Sequence, residues 1–489
     1  MPTTKSKVNK KNQKGNTHLH PTSVFIRIRP LAESGGHAED TNHYSSKHLE
    51  AWDEQSVTLS TQYLFSKGNA RYNFPARVWG PETTQKDVYE TPSFRRLVDE
   101  FVAFEGRNVV AFAYGQTGTG KTHTTLGTDK SLLPRRRSTP PMGSENSTKY
   151  DDVAYDDDDG WGIFPRVFTT ARATLIQKNH HNTTKTPFYI FTASAIEFYL
   201  ADASDLLQPQ KNIRIDPDSH RPCGCTTVVL SSVDDMISFL NTVRQNRTTR
   251  STRMNRAHET HGGSSRSHAA LILTLHQLDS AVGVDDGGGG GDNYCQTTFT
   301  IVDLAGAERP SKTKEKRYGG IEMALWMKEY KGEEIPVGCQ ALVINLELSS
   351  IASEVLRATG AHRQGKPYTP PRQLCTETIK FLGGCFDGDS ITAMILCLSP
   401  AGSNGWETWF SLQYGEKVSR LKVPVRRQRA KSFKRVYRNA EKKAKDAAEA
   451  LKRANVGNKY YVIKETLARD AQQGLEQLER LRCLLRLDF

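Results

Sequence analysis

The sequence predicts an α/β fold: a central β-sheet, mostly parallel or mixed, flanked by helices and followed by a C-terminal helical extension. Three observations predict it. Short apolar runs rich in β-branched and aromatic residues recur along the chain and stop at Gly or Pro, as buried central strands do. One of them, Asn108 to Tyr114, leads straight into a glycine-rich segment of pattern G-x-x-x-x-G-K-[ST], Gly115 to Thr122. After Leu421 the composition turns basic, then Ala/Lys/Glu-rich and helix-favouring. The 489 residues fit two to four units at about 100–200 residues each, or one large α/β domain carrying insertions.

In chain order, Met1 to Pro21 is polar, with Lys5, Lys7, Lys10, Lys11 and Lys14, and reads as a disordered basic arm. It holds no apolar stretch of the kind a secretory signal needs. Val24 to Arg29 alternates apolar and basic residues and is closed by Pro30, which suits a strand. Residues 128–159 read as an inserted loop, with Arg135 to Arg137 between prolines and an acidic cluster at Asp151, Asp152 and Asp156 to Asp159. Phe188 to Tyr199 is a further strand. Ala269 to Leu275 and Thr298 to Val302 read as an antiparallel pair, separated by an insertion (283–292) that contains the five glycines Gly287 to Gly291. Residues 312–338 are irregular and Lys/Glu/Gly-rich. Leu342 to Leu356 has helical spacing, and Ile391 to Leu398 is a buried strand stopped by Pro400.

Residues 423–489 read as a basic linker, Arg426 to Arg438, followed by helices over Ala440 to Ala454 and Glu465 to Leu485. Leu467, Ala471, Leu475, Leu478, Leu481 and Leu485 give the second helix an apolar stripe too short for a sustained heptad repeat. A hairpin packed on its own domain is preferred to a dimer zipper. The oligomeric state is left open.

Composition narrows the function classes. Lys and Arg number 67 and Asp and Glu 54, a net charge of +13, which suits an anionic partner without choosing one. Hydrophobic residues at 37% and charged residues at 25% exclude a fibre or a wholly disordered chain. No apolar run approaches the roughly 20 residues of a membrane span. The eight cysteines are scattered; only Cys223 and Cys225 are close, and their spacing is not that of a zinc knuckle. They read as reduced thiols.

Three motifs carry chemistry. In Gly115-Gln116-Thr117-Gly118-Thr119-Gly120-Lys121-Thr122 the glycines let backbone N–H groups wrap phosphates. Lys121 reaches the β and γ oxygens, the Thr122 hydroxyl suits Mg²⁺, and the following helix adds the positive end of its dipole. In Asp303-Leu304-Ala305-Gly306-Ala307-Glu308, at a strand end, Asp303 can serve Mg²⁺ through water and Gly306 can present an N–H to a γ-phosphate. Ser264-Ser265-Arg266-Ser267-His268 offers hydroxyls and a cation before a strand.

Together these motifs resemble the kinesin motor domain, a P-loop NTPase-type fold, in its order along the chain. Arg27-Ile28-Arg29-Pro30 is similar to the family's adenine-side R-x-R-P. Tyr114 to Thr124 is similar to its phosphate-loop signature, SSRSH to switch I and DLAGAE to switch II. Gly162 to Arg166, Ile196 to Tyr199, Leu382 to Gly384, Leu398 to Pro400 and Glu407-Thr408 match further landmarks, so the resemblance covers roughly residues 22–422.

The resemblance implies ATP hydrolysis with Mg²⁺ and binding to microtubules, in the cytoplasm on the cytoskeleton. Arg27, Pro30 and His123 would border the adenine, and Gly115 to Thr122 would hold the phosphates. Thr122, Ser265 and Asp303 would serve Mg²⁺. Lys121 and Gly306 would contact the γ-phosphate, and Arg266 and Glu308 would form the latch that closes the site.

Several residues depart from the family pattern. His261 stands where an Asn is usual, and 256–261 reads as an insertion. Ile344-Asn345-Leu346-Glu347-Leu348 replaces the usual I-N-K-S-L. Pro367 to Cys375 keeps only Arg372 of a basic tubulin-facing motif. The segment Lys422 to Val425 lacks the usual asparagine latch. These departures bear on the track rather than on ATP chemistry, so a non-motile microtubule-binding or regulatory protein of the same fold is the alternative to a motor. The basic run Arg426 to Arg438 reads as a solvated or acidic-partner face in preference to a nucleic-acid site.

Overall fold

The computed structural model describes residues 19–31, 48–60, 69–128, 160–181, 188–200, 202–209, 211–254, 266–279, 293–307, 337–369, 376–456 and 459–487. Its strands are β1 (His20–Pro21), β2 (Ser23–Ile28), β3 (Leu49–Trp52), β4 (Ser56–Ser60), β5 (Asn69–Asn73), β6 (Arg77–Trp79), β7 (Asn108–Tyr114), β8 (Phe188–Tyr199) and β9 (Asp202–Asp205). They continue with β10 (Asn212–Ile215), β11 (Pro222–Cys223), β12 (Val228–Val229), β13 (His268–Asp279), β14 (Asn293–Asp303), β15 (Ser390–Leu398), β16 (Lys422–Val423) and β17 (Lys431–Ser432). The helices are α1 (Gln85–Glu90), α2 (Pro92–Val102), α3 (Lys121–Thr125), α4 (Ile163–His181), α5 (Val233–Met254), α6 (Val337–Arg363), α7 (Glu377–Asp387), α8 (Gly405–Ser419), α9 (Phe433–Lys452) and α10 (Lys459–Leu484).

The main sheet has the order β11-β10-β9-β8-β13-β14-β7-β15-β2-β6. From β14 to β6 neighbours are parallel; from β14 through β13 to β11 they are antiparallel. The mixed sheet follows from the sequence: β13 and β14 are consecutive strands joined by residues 280–292 alone, whereas β7, β15 and β2 are far apart in the chain and buried on both faces. Central β15 is buried at all nine positions.

Alternation along β14 separates the two faces. Phe299 stacks edge-on with Phe101 of α2, and the Thr297 hydroxyl donates to the Phe101 carbonyl at 2.8 Å. Thr298 and Thr300 point the other way and line a cleft of about 270 Å³ with Phe381 of α7 and Gln477 of α10. So α2, with α4 and α5 beyond it, covers one face, and α6, α7 and α8 pack together against the other.

The structure moves several sequence-based boundaries. His20 and Pro21, read as part of the basic arm, pair with Val423 and Lys422 as β1 against β16. Two residues are too few for any periodic signal. Helix α6 runs from Val337 to Arg363, longer at both ends than Leu342 to Leu356. The basic run is not one linker: Lys431–Ser432 pairs with Tyr294 and Asn293 of β14, and Phe433 starts α9. A separate three-stranded sheet, β3-β4-β5, stands beside the main one, built from strands of four or five residues with no clear periodic signal.

The ends of the 128–159 insertion are held together, since Thr128 donates to the Gly160 carbonyl at 2.9 Å and Gly127 bridges Trp161. Residues 129–159, 255–265, 280–292 and 308–336, which hold the expected insertions, lie outside the described residues.

α9 and α10 form the expected hairpin. Phe433, Leu481 and Leu485 bury themselves with Ile190, Leu278 and Tyr294 of the main sheet. Arg214 pairs with Asp470 at 3.2 Å, and Gln477 donates to the Cys225 carbonyl at 2.8 Å.

Candidate functional site

The site forms where the sheet's parallel strands end. β7 lies between β14 and β15 and opens directly into the glycine-rich loop. Such strand ends, with loops diverging to both sides, make the crevice where α/β folds bind ligands. The loop is held from below by Tyr114, the last residue of β7, which stacks face to face on Tyr414 of α8 at 4.4 Å. Leu304 donates to the Ala113 carbonyl at 3.2 Å and Ala307 to the Gly115 carbonyl at 3.3 Å, tying the end of β14 to the same loop.

Glycine is required at both ends of the loop for different reasons. A Cβ on Gly115 would lie 2.3 Å from the Cys397 carbonyl oxygen of β15, so only Gly lets the loop leave the sheet so closely. Gly120 has φ +90 at the N-cap of α3, a left-handed conformation costly for any side chain. Helix α3 is only five residues long. The cradle therefore rests on loop N–H groups and side-chain cations more than on the helix dipole expected from the sequence.

Lys121 is buried, and its Nζ donates to the carbonyls of Gly115 and Gln116 at 2.9 and 2.8 Å. Thr119 closes the loop by donating from Oγ1 to the Gln116 carbonyl at 2.8 Å. Gln116 is buried in the same turn, and Thr117 and Gly118 form its outer rim.

Thr122 and Asp303, far apart in sequence, meet: Thr122 Oγ1 donates to Asp303 Oδ2 at 2.7 Å. That oxygen also accepts from Arg247 Nη1 at 2.6 Å, and both partners are almost fully buried, at 5% and 2% side-chain exposure. Arg247 Nη2 donates to the Ser267 carbonyl at 3.0 Å. Asp303 Oδ1 is buried with no hydrogen-bond partner among the described residues. A lone carboxylate oxygen beside a Thr hydroxyl and next to a phosphate cradle is a donor set that suits a hard cation such as Mg²⁺. The fit therefore holds for Thr122 and Asp303.

The residues expected to border the adenine form a second cluster. Arg27 Nη1 donates to Gln85 Oε1 at 2.5 Å and to Thr124 Oγ1 at 2.9 Å. Gln85 in turn donates to the His123 carbonyl and lies 3.3 Å from His123 Nδ1. Partial burial first, then the nearby Arg27 and Arg244, push the His123 imidazole down to about 4, so it is neutral at physiological pH. Arg244 itself donates to the Gly127 carbonyl at 2.6 Å. Pro30 is exposed at the end of β2.

The switch motifs are placed in part. Arg266 is half-buried at the entry to β13, and Gly306 is buried beyond β14. Ser265 and Glu308 lie outside the described residues. Behind the switches, Ser267 Oγ donates to Glu197 Oε1 at 2.6 Å. His268 Nδ1 accepts from the Ala305 N–H at 2.8 Å, and its Nε2 lies 3.2 Å from Glu347 Oε2 on α6.

Sequence reasoning missed Arg247, Gln85 and Glu197. Arg247 and Gln85 sit in no motif, and Glu197, though within the Ile196 to Tyr199 landmark, had no site role in the sequence; the fold brings all three to the site. Helix α6 carries Leu346, in its third turn, at 53% exposure, where the family pattern has lysine. Thr369 and Tyr368 are described, while residues 370–375, Arg372 among them, are not. No described helix is long and apolar enough to cross a membrane.

Comparisons with known proteins agree with this geometry. The sequence profile of the kinesin motor domain matches residues 27–324. The human kinesin-1 heavy chain is 26% identical over 406 residues, covering 82% of this chain and 33% of its own length. Kinesin-related protein 7 of Dictyostelium discoideum is 26% identical over 403 residues, covering 82% of this chain and 26% of its own length. The chain thus spans about a third or less of the length of these relatives. Among solved structures, a KIF14 dimer in a two-heads-bound state with AMP-PNP on a microtubule superposes with TM-score 0.61 at 24% identity, over 84% of this chain and 97% of that one. A fast kinesin superposes with TM-score 0.58 at 20% identity, over 84% and 94%.

Proposed function

Because the chain belongs to the kinesin motor-domain family, we propose that it is an ATP-driven microtubule motor, hydrolysing ATP with Mg²⁺ and working on microtubules in the cytoplasm. One observation carries the proposal. The Lys121 loop and Asp303, at the ends of adjacent parallel strands, converge on Thr122 within 2.7 Å. That convergence supports a nucleoside triphosphate site, and the family supports tubulin as the track.

The chain's own residues divide the work. Loop N–H groups from Gly115 to Gly120, with Gln116, Thr117, Gly118 and Thr119 between, wrap the phosphates. Lys121 exchanges its two loop carbonyls for phosphate oxygens, and Gly306 offers its N–H to the γ-phosphate. Arg27, Pro30 and His123 border the adenine; a neutral His123 can pack there without adding charge. Thr122, Asp303 and Ser265 would hold Mg²⁺, which when bound neutralises charge on the β- and γ-phosphates. Arg266 and Glu308 close the site and position the attacking water. No strong base is needed, because phosphoryl transfer rests on positioning and charge stabilisation.

Steady-state ATPase with and without polymerised tubulin tests the reading, beside a Lys121→Ala control. Stimulation of about tenfold or more, absent in the control, is expected. ATP hydrolysis that tubulin leaves unchanged would move the chain to the non-motile alternative, and no hydrolysis in either condition would overturn the enzyme reading.

A further inference from the structure

We propose that Glu347 is a positioning residue: through His268 it links the backbone of the Asp303–Gly306 loop to helix α6. The proposal rests on the motor reading above for its consequence and on four contacts for its geometry, two of them fully buried and two partly buried. The backbone N–H of Ala305 can only donate, so His268 Nδ1, 2.8 Å away, is the acceptor. The proton of the neutral ring therefore sits on Nε2, which faces Glu347 Oε2 at 3.2 Å. The other carboxylate oxygen, Oε1, accepts from Thr376 Oγ1 at 2.8 Å. Thr376 is the N-cap of α7, its hydroxyl accepting from Ile379 N–H at 3.3 Å.

Ala305, His268 and Glu347 are 0%, 1% and 5% exposed, so water cannot replace these bonds cheaply. Burial alone would raise the Glu347 carboxyl, but the hydrogen bonds from His268, Thr378 and Thr376 outweigh it and hold it below its ordinary value. The carboxylate is thus kept charged by the same donors that fix its position.

The chain of contacts is continuous: Ala305, His268, Glu347, Thr376. The Ala305 N–H lies one residue from Gly306, and Glu347 lies beside exposed Leu346 on α6. A movement of the Ala305–Gly306 backbone must either carry α6 and the start of α7 or break a buried charge-assisted bond. A small shift at the phosphates is thereby converted into a discrete displacement of the helix. Nothing in composition or spacing marked this role, since Glu347 reads from sequence only as one more difference in a motif.

The test compares wild type with Glu347→Leu, Glu347→Gln and Thr376→Ala. Two readouts are taken: hydrogen exchange at the Ala305 amide without microtubules, and kcat and KM for ATP with saturating microtubules. Glu347→Leu is expected to speed Ala305 exchange and lower the stimulated kcat, each about tenfold, with KM for ATP within about twofold. Glu347→Gln keeps an acceptor for His268 and a donor for the Thr376 hydroxyl, and should restore kcat to within about twofold. Should Glu347→Leu not fold, Thr376→Ala carries the test with about a threefold loss in kcat, because it frees one end of the carboxylate.

A Glu347→Leu protein with wild-type kcat and a protected Ala305 amide would overturn the proposal, and so would a lost kcat with the amide unchanged. Wild-type protein that microtubules fail to stimulate would overturn the motor reading instead. The amide exchange would then decide the linkage by itself.

Discussion

Replacing Arg247 by Met removes a buried cation from the centre of the site while keeping an apolar stem of similar length. The structure shows what is lost. Asp303 Oδ2 gives up its 2.6 Å partner and the Ser267 carbonyl gives up a 3.0 Å donor, both in a site with side-chain exposures of 5% and 2%. Asp303 is then left with the Thr122 hydroxyl as its one remaining described donor, and its Oδ1 already has none. Breaking a buried ion pair from one side costs about 3–5 kcal/mol, most of it the uncompensated charge. The expected result is a loss of that size in urea unfolding without nucleotide, with the m-value unchanged.

Adding Asp303→Asn removes the stranded charge. The double variant should therefore be at least about 1.5 kcal/mol more stable than the sum of the single losses. Mg²⁺ with nucleotide should stabilise Arg247→Met more than it stabilises wild type, because a cation at Thr122 and Asp303 offsets the missing guanidinium. A loss under about 1 kcal/mol for Arg247→Met, in the range of an exposed pair, would refute the reasoning.

Three further outcomes are expected. Gly115→Ala should abolish binding of a fluorescent ATP analogue, because its Cβ would meet the Cys397 carbonyl at 2.3 Å; unchanged affinity would show that the loop does not need this close approach. His276, buried between Thr192 and Tyr294, is pushed by burial first and Arg221 second from an ordinary 6.5 to about 3. The unfolded chain then binds the proton first as pH falls, so stability is complete above pH 6.5 and declines toward 3, by about 2 kcal/mol at pH 5 from this group. His276→Gln should flatten that slope in pH-dependent unfolding. Phe433→Ala, at a side chain with 0% exposure, should cost about 3–5 kcal/mol locally, read as faster amide exchange in β17 and α9 while β7 is unchanged.

How much the sequence revealed depends on what kind of signal each feature leaves. The phosphate loop was legible residue by residue, because phosphate chemistry needs Gly, Lys and Thr at fixed spacing. Asp303 was legible from its motif at a strand end. Long buried strands such as β8 and β15 were legible because apolar runs of that length have few other readings. Arg247 was not, since α5 supplies it alone from a 22-residue helix whose polar residues give no hint of which one turns inward. Strands β1, β16 and β17 have two residues each and leave no periodicity. The C-terminal hairpin was readable as two helices. Its anchoring through Phe433, Leu481 and Leu485 was not, because an apolar stripe does not name the surface it meets. Glu347 stood out only as an unusual residue; its role depends on His268, which reaches it across the fold.

The central claim is that the nucleotide held at Lys121 and Asp303 sets the affinity for microtubules. Its most direct test is the microtubule Kd measured by cosedimentation with a non-hydrolysable ATP analogue and with ADP. The account predicts tighter binding with the analogue by about tenfold or more, with Lys121→Ala erasing the difference. Equal affinity in both nucleotide states, with nucleotide shown to be bound, would contradict it.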